Sequence, residues 1–192
     1  MRSLLESVSA NALFRHGLAE GDIVRRWVVL TDNLAEGVTP RPQLGFLTPS
    51  HPFSVASRGG ASVIAPASYR RYDDFAGAVA SVDAQAVAKV YSELHAVLEG
   101  AYRALGYPNA SLDGVTARAL RRLEGAPVKD EEVVVQGKGG IFVFADPRLE
   151  ELGQVEKHLL RMGPRNTRLL QAKAREIMQA LRRPANAGTG TQ

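Results

Sequence analysis

Gly163-Pro164 is the junction that most limits how this chain can fold, because apolar residues at helical spacing run up to it and resume after it. Glycine takes the backbone angles that end a helix, and proline suits the first turn of the next, where its missing N–H has no helical partner. Upstream, Leu149, Leu152, Val155 and Leu159 follow the cap-and-start pair Asp146-Pro147, which predicts one helix running into the corner. Downstream, Leu170, Ala174, Ile177 and Leu181 line one face of a second helix. Both stripes demand burial, so the pair is expected to pack against the rest of the domain. The corner also brings Arg161, Arg165 and Arg168, with Asn166, beside a helix N-terminus, where free amides and the dipole favour an anion. An anion or partner site at Arg161, Gly163, Arg165, Asn166 and Arg168 is therefore one expectation. The plainer one is a solvated basic corner that joins two helices.

The charge distribution sharpens this. Residues 1–145 carry 15 basic and 15 acidic groups, whereas residues 146–192 carry 9 and 5, so the whole net charge of +4 belongs to the closing helices. That field is modest, and with no dense basic stripe or interleaved aromatics no nucleic-acid partner is expected. At 192 residues, 45% hydrophobic and 23% charged, the chain predicts a single globular domain over residues 1–183 and a loose tail over 184–192. It has no cysteine, which excludes disulfides, thiol nucleophiles and thiolate metal sites. Neither a membrane-length apolar run nor a secretory signal pattern is present in the sequence.

Local patterns predict a mainly α-helical α+β fold of about seven helices and two β-hairpins able to form one small antiparallel sheet. Helices are expected over Ser3 to His16, ended by Gly17, and over Ile23 to Leu34, capped by Asp22, with Trp27 in the core. Four prolines between Val38 and Pro52 predict an extended loop. Residues 53–57 and 61–65 around Arg58-Gly59-Gly60 read as a hairpin. A helix carrying Tyr69, Tyr72, Phe75 and Val79 follows, then a long one from the Asp83 cap to Leu105, ending at Gly106, and a shorter one from Leu112 to Leu123. Val133 to Val135 and Ile141 to Phe144 flank Gly137-Lys138-Gly139-Gly140 as a second, more apolar hairpin.

Several strings, in order, resemble an uncharacterised bacterial domain family: Ile23 to Val29 with Asp32 to Ala35, Ser68 to Asp73, Ala104 to Pro108, and Phe144 to Pro147 with Leu159 to Asn166. The likeness spans Leu18 to Arg182. The family has no established activity, substrate or catalytic residue to carry over. It implies a periplasmic domain, which in similar proteins follows a membrane-spanning helix and a proline-rich spacer. This sequence starts at Met1-Arg2-Ser3 without that anchor, so inner-membrane attachment is an expectation for a longer form of the protein.

Catalytic signatures are missing: there is no G-x-S-x-G, no phosphate loop and no dinucleotide fingerprint. His95 and Glu99 share a helix face with Tyr102 and form the best polar cluster, with a general base as its sharpest use and a surface pair as its commonest. Glu151, Gln154 and His158 make a similar set. Asp32-Asn33 and Asp73-Asp74 are read as helix-boundary residues, and Arg70-Arg71 as stacking and pairing within the fold. No cofactor and no metal are expected. The leading functional expectation is a non-enzymatic protein-interaction or scaffolding domain of the cell envelope, its partner an envelope protein; the alternative is an anionic small molecule or polymer at the basic corner.

Overall fold

The computed structural model describes residues 6–19, 21–40, 43–45, 48–49 and 51–182. The proposed tail over 184–192 and the start of the first expected helix lie outside them. The fold is mainly helical α+β, with one four-stranded antiparallel sheet in the order β1-β2-β3-β4. Helices α1 (Ala12–Ala19) and α2 (Ile23–Ala35) precede strands β1 (Val55–Arg58) and β2 (Ala61–Ile64). After them come α3 (Pro66–Arg70), α4 (Asp73–Ala80), α5 (Ala84–Arg103) and α6 (Leu112–Gly125). Strands β3 (Val134–Lys138) and β4 (Ile141–Phe144), the single turn α7 (Pro147–Glu150), α8 (Gln154–Met162) and α9 (Pro164–Arg182) complete the order.

Four boundaries differ from the sequence expectation, each for a local reason. The first expected helix is interrupted: Glu6 is helical, residues 7–11 are not, and the helix Ala12–Ala19 begins where the Asn11 carboxamide oxygen accepts the N–H groups of Leu13 and Phe14, continuing through Gly17. The helix expected over Tyr69 to Val79 is two, broken at Arg71-Tyr72, where the Tyr72 N–H turns back to the Tyr69 carbonyl. The helix expected into the corner is also two, because α7 stops at Glu151 and Gly153 starts α8. Gly137 and Lys138 are not turn residues but the end of β3; the turn is Gly139-Gly140, with φ of 57° and 80°. Gly59-Gly60 makes the matching turn between β1 and β2, with φ of 55° and 84°.

The two hairpins join through β2 and β3, where Ser62 pairs with Val135 and Val63 with Val134. Side chains alternate across the sheet, so Ile64, Val133, Val135 and Phe144 are buried with Leu160 of α8 on one face. The opposite face carries Val134, Ile141 and Val143, with Gln136 and Lys138. The edge at β4 is closed by side chains: Glu150 accepts the Phe144 N–H at 2.9 Å, and Arg161 donates to the Phe142 carbonyl at 3.1 Å.

Away from the sheet, Val28, Tyr91, Leu98, Tyr102, Leu112 and Val115 bury one helical core against partly buried Trp27. Tyr72, Ala76, Val155, Leu159, Met162 and Leu170 form another around the corner. Full burial of one such aliphatic side chain is worth roughly 1.5–3 kcal/mol, so these clusters hold α8 and α9 in place.

Candidate functional site

The corner forms where the sequence places it. Gly163 has φ of 82° and its Cα faces the Tyr69 ring, while the Asn166 and Thr167 side chains turn inward, each 1% exposed. Asn166 Nδ2 donates to the carbonyls of Tyr69 and Met162, both at 3.0 Å, and to Asp73 at 2.9 Å. Thr167 Oγ1 donates to the Leu159 carbonyl at 2.7 Å. These buried bonds satisfy the polar groups that a helix break exposes. Asn166 is thus an internal lock between α9, α8 and α4, and Asp73 is its acceptor as well as a first-turn residue of α4.

The corner guanidiniums are occupied by the fold. Arg161 lies over the Phe144 ring at 4.4 Å while closing the β4 edge. Arg165 pairs with Asp73 at 3.2 Å, and Arg168 Nη1 donates to Asp130 at 2.9 Å. The Arg168 bond holds the Asp130 carboxyl below its usual range. Lys157 donates to both the carbonyl and the carboxylate of Glu150, and with the Phe144 N–H it depresses the Glu150 pKa.

The second cluster is rearranged. His95 and Glu99 make no bond to each other in the described network: His95 Nε2 lies 3.1 Å from Asp113 Oδ1, while Glu99 accepts the Leu112 N–H at the start of α6 and pairs with Arg103. Tyr91 donates to the same Asp113 oxygen at 2.6 Å and meets the His95 ring edge-on. The Tyr91 bond lowers the Asp113 pKa; burial together with Asp113 raises that of Tyr91. Asp113 is the residue the sequence reading missed, since it lies eighteen positions from His95 on another helix. Asp32, read as a helix-boundary residue, instead sits within α2 and accepts the hydroxyls of Tyr102 and Tyr107 at 3.3 and 3.4 Å. Burial, then the Asp32 charge, pushes the Tyr102 pKa up to about 12.

Of the remaining residues, Gln154 accepts the Thr39 hydroxyl and His158 packs edge-on against Tyr72. Arg71 donates to the Ser68 and His51 carbonyls and stacks over Phe53 and Tyr72, as the sequence reading expects. Among the described residues no group of three His, Asp or Glu side chains gathers to hold a metal, and no helix is long and apolar enough to cross a membrane.

One open cleft of about 350 Å³ lies at the C-terminal ends of α2 and α6, lined by Ala35, Arg118, Arg121, Arg122, Gly125 and Glu156. Arg122 forms its fixed wall, with Nε on the Ala35 carbonyl at 3.2 Å and Nη1 on Glu156 at 2.8 Å. A different surface stands out on the sheet, where Val134 and Ile141 are 40% and 65% exposed.

A mainly helical α+β domain with one four-stranded meander, whose conspicuous polar clusters are mutually bonded, is the class that this geometry defines. Residues 23–178 match the model of a family described as a protein of unknown function, DUF3014, and the chain belongs to that family. No curated protein and no solved structure matches it.

Proposed function

We propose that the domain is a non-enzymatic protein-interaction or scaffolding module of the bacterial cell envelope, which meets its partner through the outer face of the sheet. The observation that carries this reading is the exposure of Val134 and Ile141 beside half-buried Val143. Large apolar side chains grouped on a β-sheet face lose contact with water only when another surface covers them, and such groups mark interaction sites. Lys138 and Gln136 alternate with them along the same face and supply the polar margin of a protein contact. The envelope setting rests on the resemblance drawn from the sequence strings, and its direct check is localisation of the tagged full-length protein by cell fractionation.

The test of the contact surface is comparative capture from envelope extracts of the host, with the native domain beside an Ile141→Asp/Val134→Lys variant. A partner held by the native domain at high salt and lost by the variant supports the reading. An identical set of captured proteins for both sinks it.

A second reading, an anionic ligand at the corner, is favoured by the 70% and 53% exposure of the Arg165 and Arg168 side chains at the start of α9. Their carboxylate partners are exposed too, and exposed pairs of this kind are held by only about 0–1 kcal/mol. Loss of salt-sensitive polyanion binding in an Arg165→Ala/Arg168→Ala variant is its test.

A further inference from the structure

We propose that the cleft between the ends of α2 and α6 binds the phosphate group of a small phosphorylated ligand, gripped by Arg118 and Arg121. The three arginines of α6 lie at i, i+3 and i+4, so they share one helix face and converge on the same cavity. Their duties differ. Arg122 is committed to the fold: it spans from the Ala35 carbonyl to Glu156 and lies so close over Gly37 that a methyl there would sit 2.9 Å from its Nη1. Its charge and that of Glu156 offset each other, although only Glu156 Oε1 is bonded and Oε2 is buried without a hydrogen-bond partner.

Arg118 and Arg121 stand on the rim of the cleft. Arg118 reaches Glu36 at 3.4 Å, but the two side chains are 51% and 58% exposed, and such a pair is worth only about 0–1 kcal/mol. A ligand can therefore replace Glu36 at little cost. Arg121 is exposed and has no partner among the described residues. Two planar guanidinium forks aimed at one volume suit a group that offers three acceptor oxygens, which is a phosphate monoester more than a single carboxylate. The volume, about 350 Å³, exceeds a bare phosphate and leaves room for a small attached group. The helix C-termini that border the cleft work against an anion. At α2 Arg122 bonds the Ala35 carbonyl, and Arg118 and Arg121 add two further positive charges against that field.

This site shares no residue with the sheet face or the corner, so its fate is independent of either reading above. The experiment titrates the full-length, isotope-labelled chain with inorganic phosphate at constant ionic strength and follows the arginine Nε–H signals by NMR. In a second arm, vesicles of phosphatidylcholine with and without phosphatidic acid are sedimented with the protein. Saturable shifts of the Arg118 and Arg121 signals, weakened about ten-fold or more by Arg121→Ala and less by Arg121→Lys, are the expected result. Co-sedimentation that requires phosphatidic acid and Arg121 would assign the phosphate to a lipid headgroup; binding of free phosphate alone would assign it to a soluble ester. Shifts that merely follow chloride, or that persist unchanged in Arg121→Ala, overturn the proposal. So does a loss of binding in Arg165→Ala with Arg121→Ala unaffected.

Discussion

The Cα of Gly163 rests against the Tyr69 ring, so closely that a methyl group added there would lie 2.6 Å from Tyr69 Cγ, and the backbone at that point has φ of 82°. Two constraints act on one atom: an L-residue is strained by the backbone, and its Cβ strikes an aromatic ring between α3 and α8. Gly60 has nearly the same φ, 84°, with nothing within 4 Å of its added Cβ. Gly60→Ala therefore gives the cost of a positive φ without a clash, about 1–2 kcal/mol, whereas Gly163, with ψ of 164°, lies in a region that side chains scarcely enter and meets the ring as well, so Gly163→Ala should lose roughly 3 kcal/mol or more. Urea unfolding midpoints of the two variants measure the difference. Equal losses would mean that neither the ring nor the Gly163 backbone resists a side chain.

Three residues beyond Gly163, Asn166 offers its amide hydrogens to acceptors on three elements and is 1% exposed. Asn166→Leu keeps the branched shape with a larger volume and strands those acceptors, with an expected loss of about 1–3 kcal/mol or more. Asn166→Asp puts a second carboxylate where the amide lay 2.9 Å from Asp73 Oδ1. Its destabilisation should be larger at pH 7 than at pH 4, where protonation relieves the repulsion. A penalty independent of pH would show that the new carboxylate turns elsewhere.

The parts legible in the sequence are those fixed by a few adjacent residues. Gly59-Gly60 and Gly139-Gly140 supply the positive φ of two-residue hairpins, Asp22, Asp83 and Asp146 cap helices with their own carboxylates, and Gly163-Pro164 turns the corner. Helix breaks at Arg71-Tyr72 and Gly153 were hidden because the apolar spacing continues across them: Tyr69 and Tyr72, or Leu152 and Val155, stay on the core side of both fragments. The polar contacts were hidden for another reason. Asn166 bonds across 97 and 93 positions, and Asp113 reaches His95 from the following helix, pairings that only the tertiary fold creates. Arg118, Arg121 and Arg122 went unread as a group, because their spacing means nothing until the fold sets a cavity in front of it.

At the acid end, the contribution of Glu150 to stability should be lost. Its carboxylate accepts from Lys157 and from the Phe144 N–H, and its pKa is lowered from 4.5 for those reasons, the Lys157 bond first. A lowered folded pKa means that the unfolded chain binds the proton more readily, so the contribution is complete above about pH 4.5 and disappears as pH falls through the folded value. Glu150→Gln removes that step and leaves one acceptor oxygen where Lys157 and the Phe144 N–H now use two, which weakens the closure of the β4 edge. The expected outcome is a flatter fall of stability below pH 4.5, measured by urea unfolding across pH, together with reduced exchange protection of the Phe144 amide. A variant whose acid limb overlays that of the native protein would remove Glu150 from the account.

At the alkaline end the sign reverses. Tyr102 is 2% exposed and donates to Asp32, and its pKa is pushed up to about 12, by burial first and the Asp32 charge second; Tyr91 is raised further still by burial and its bond to Asp113. A raised folded pKa gives a contribution that is complete below the unfolded value, about 10, and that is lost as pH climbs toward the folded one. Above pH 10 the unfolded chain releases these protons while the native one retains them, so stability should decline from there. Of the five tyrosines, Tyr91 and Tyr102 should still lack phenolate absorbance at pH 11 in the folded protein. Tyr102→Phe keeps the ring in the core and deletes the hydroxyl, at a cost of about 1 kcal/mol near neutrality. It should also make the decline between pH 10 and 12 shallower, because one proton fewer separates the two states. If the alkaline limb of Tyr102→Phe has the native slope, the hydroxyl of Tyr102 is not held to Asp32 in solution, and the link it makes between α2 and α5 falls with it.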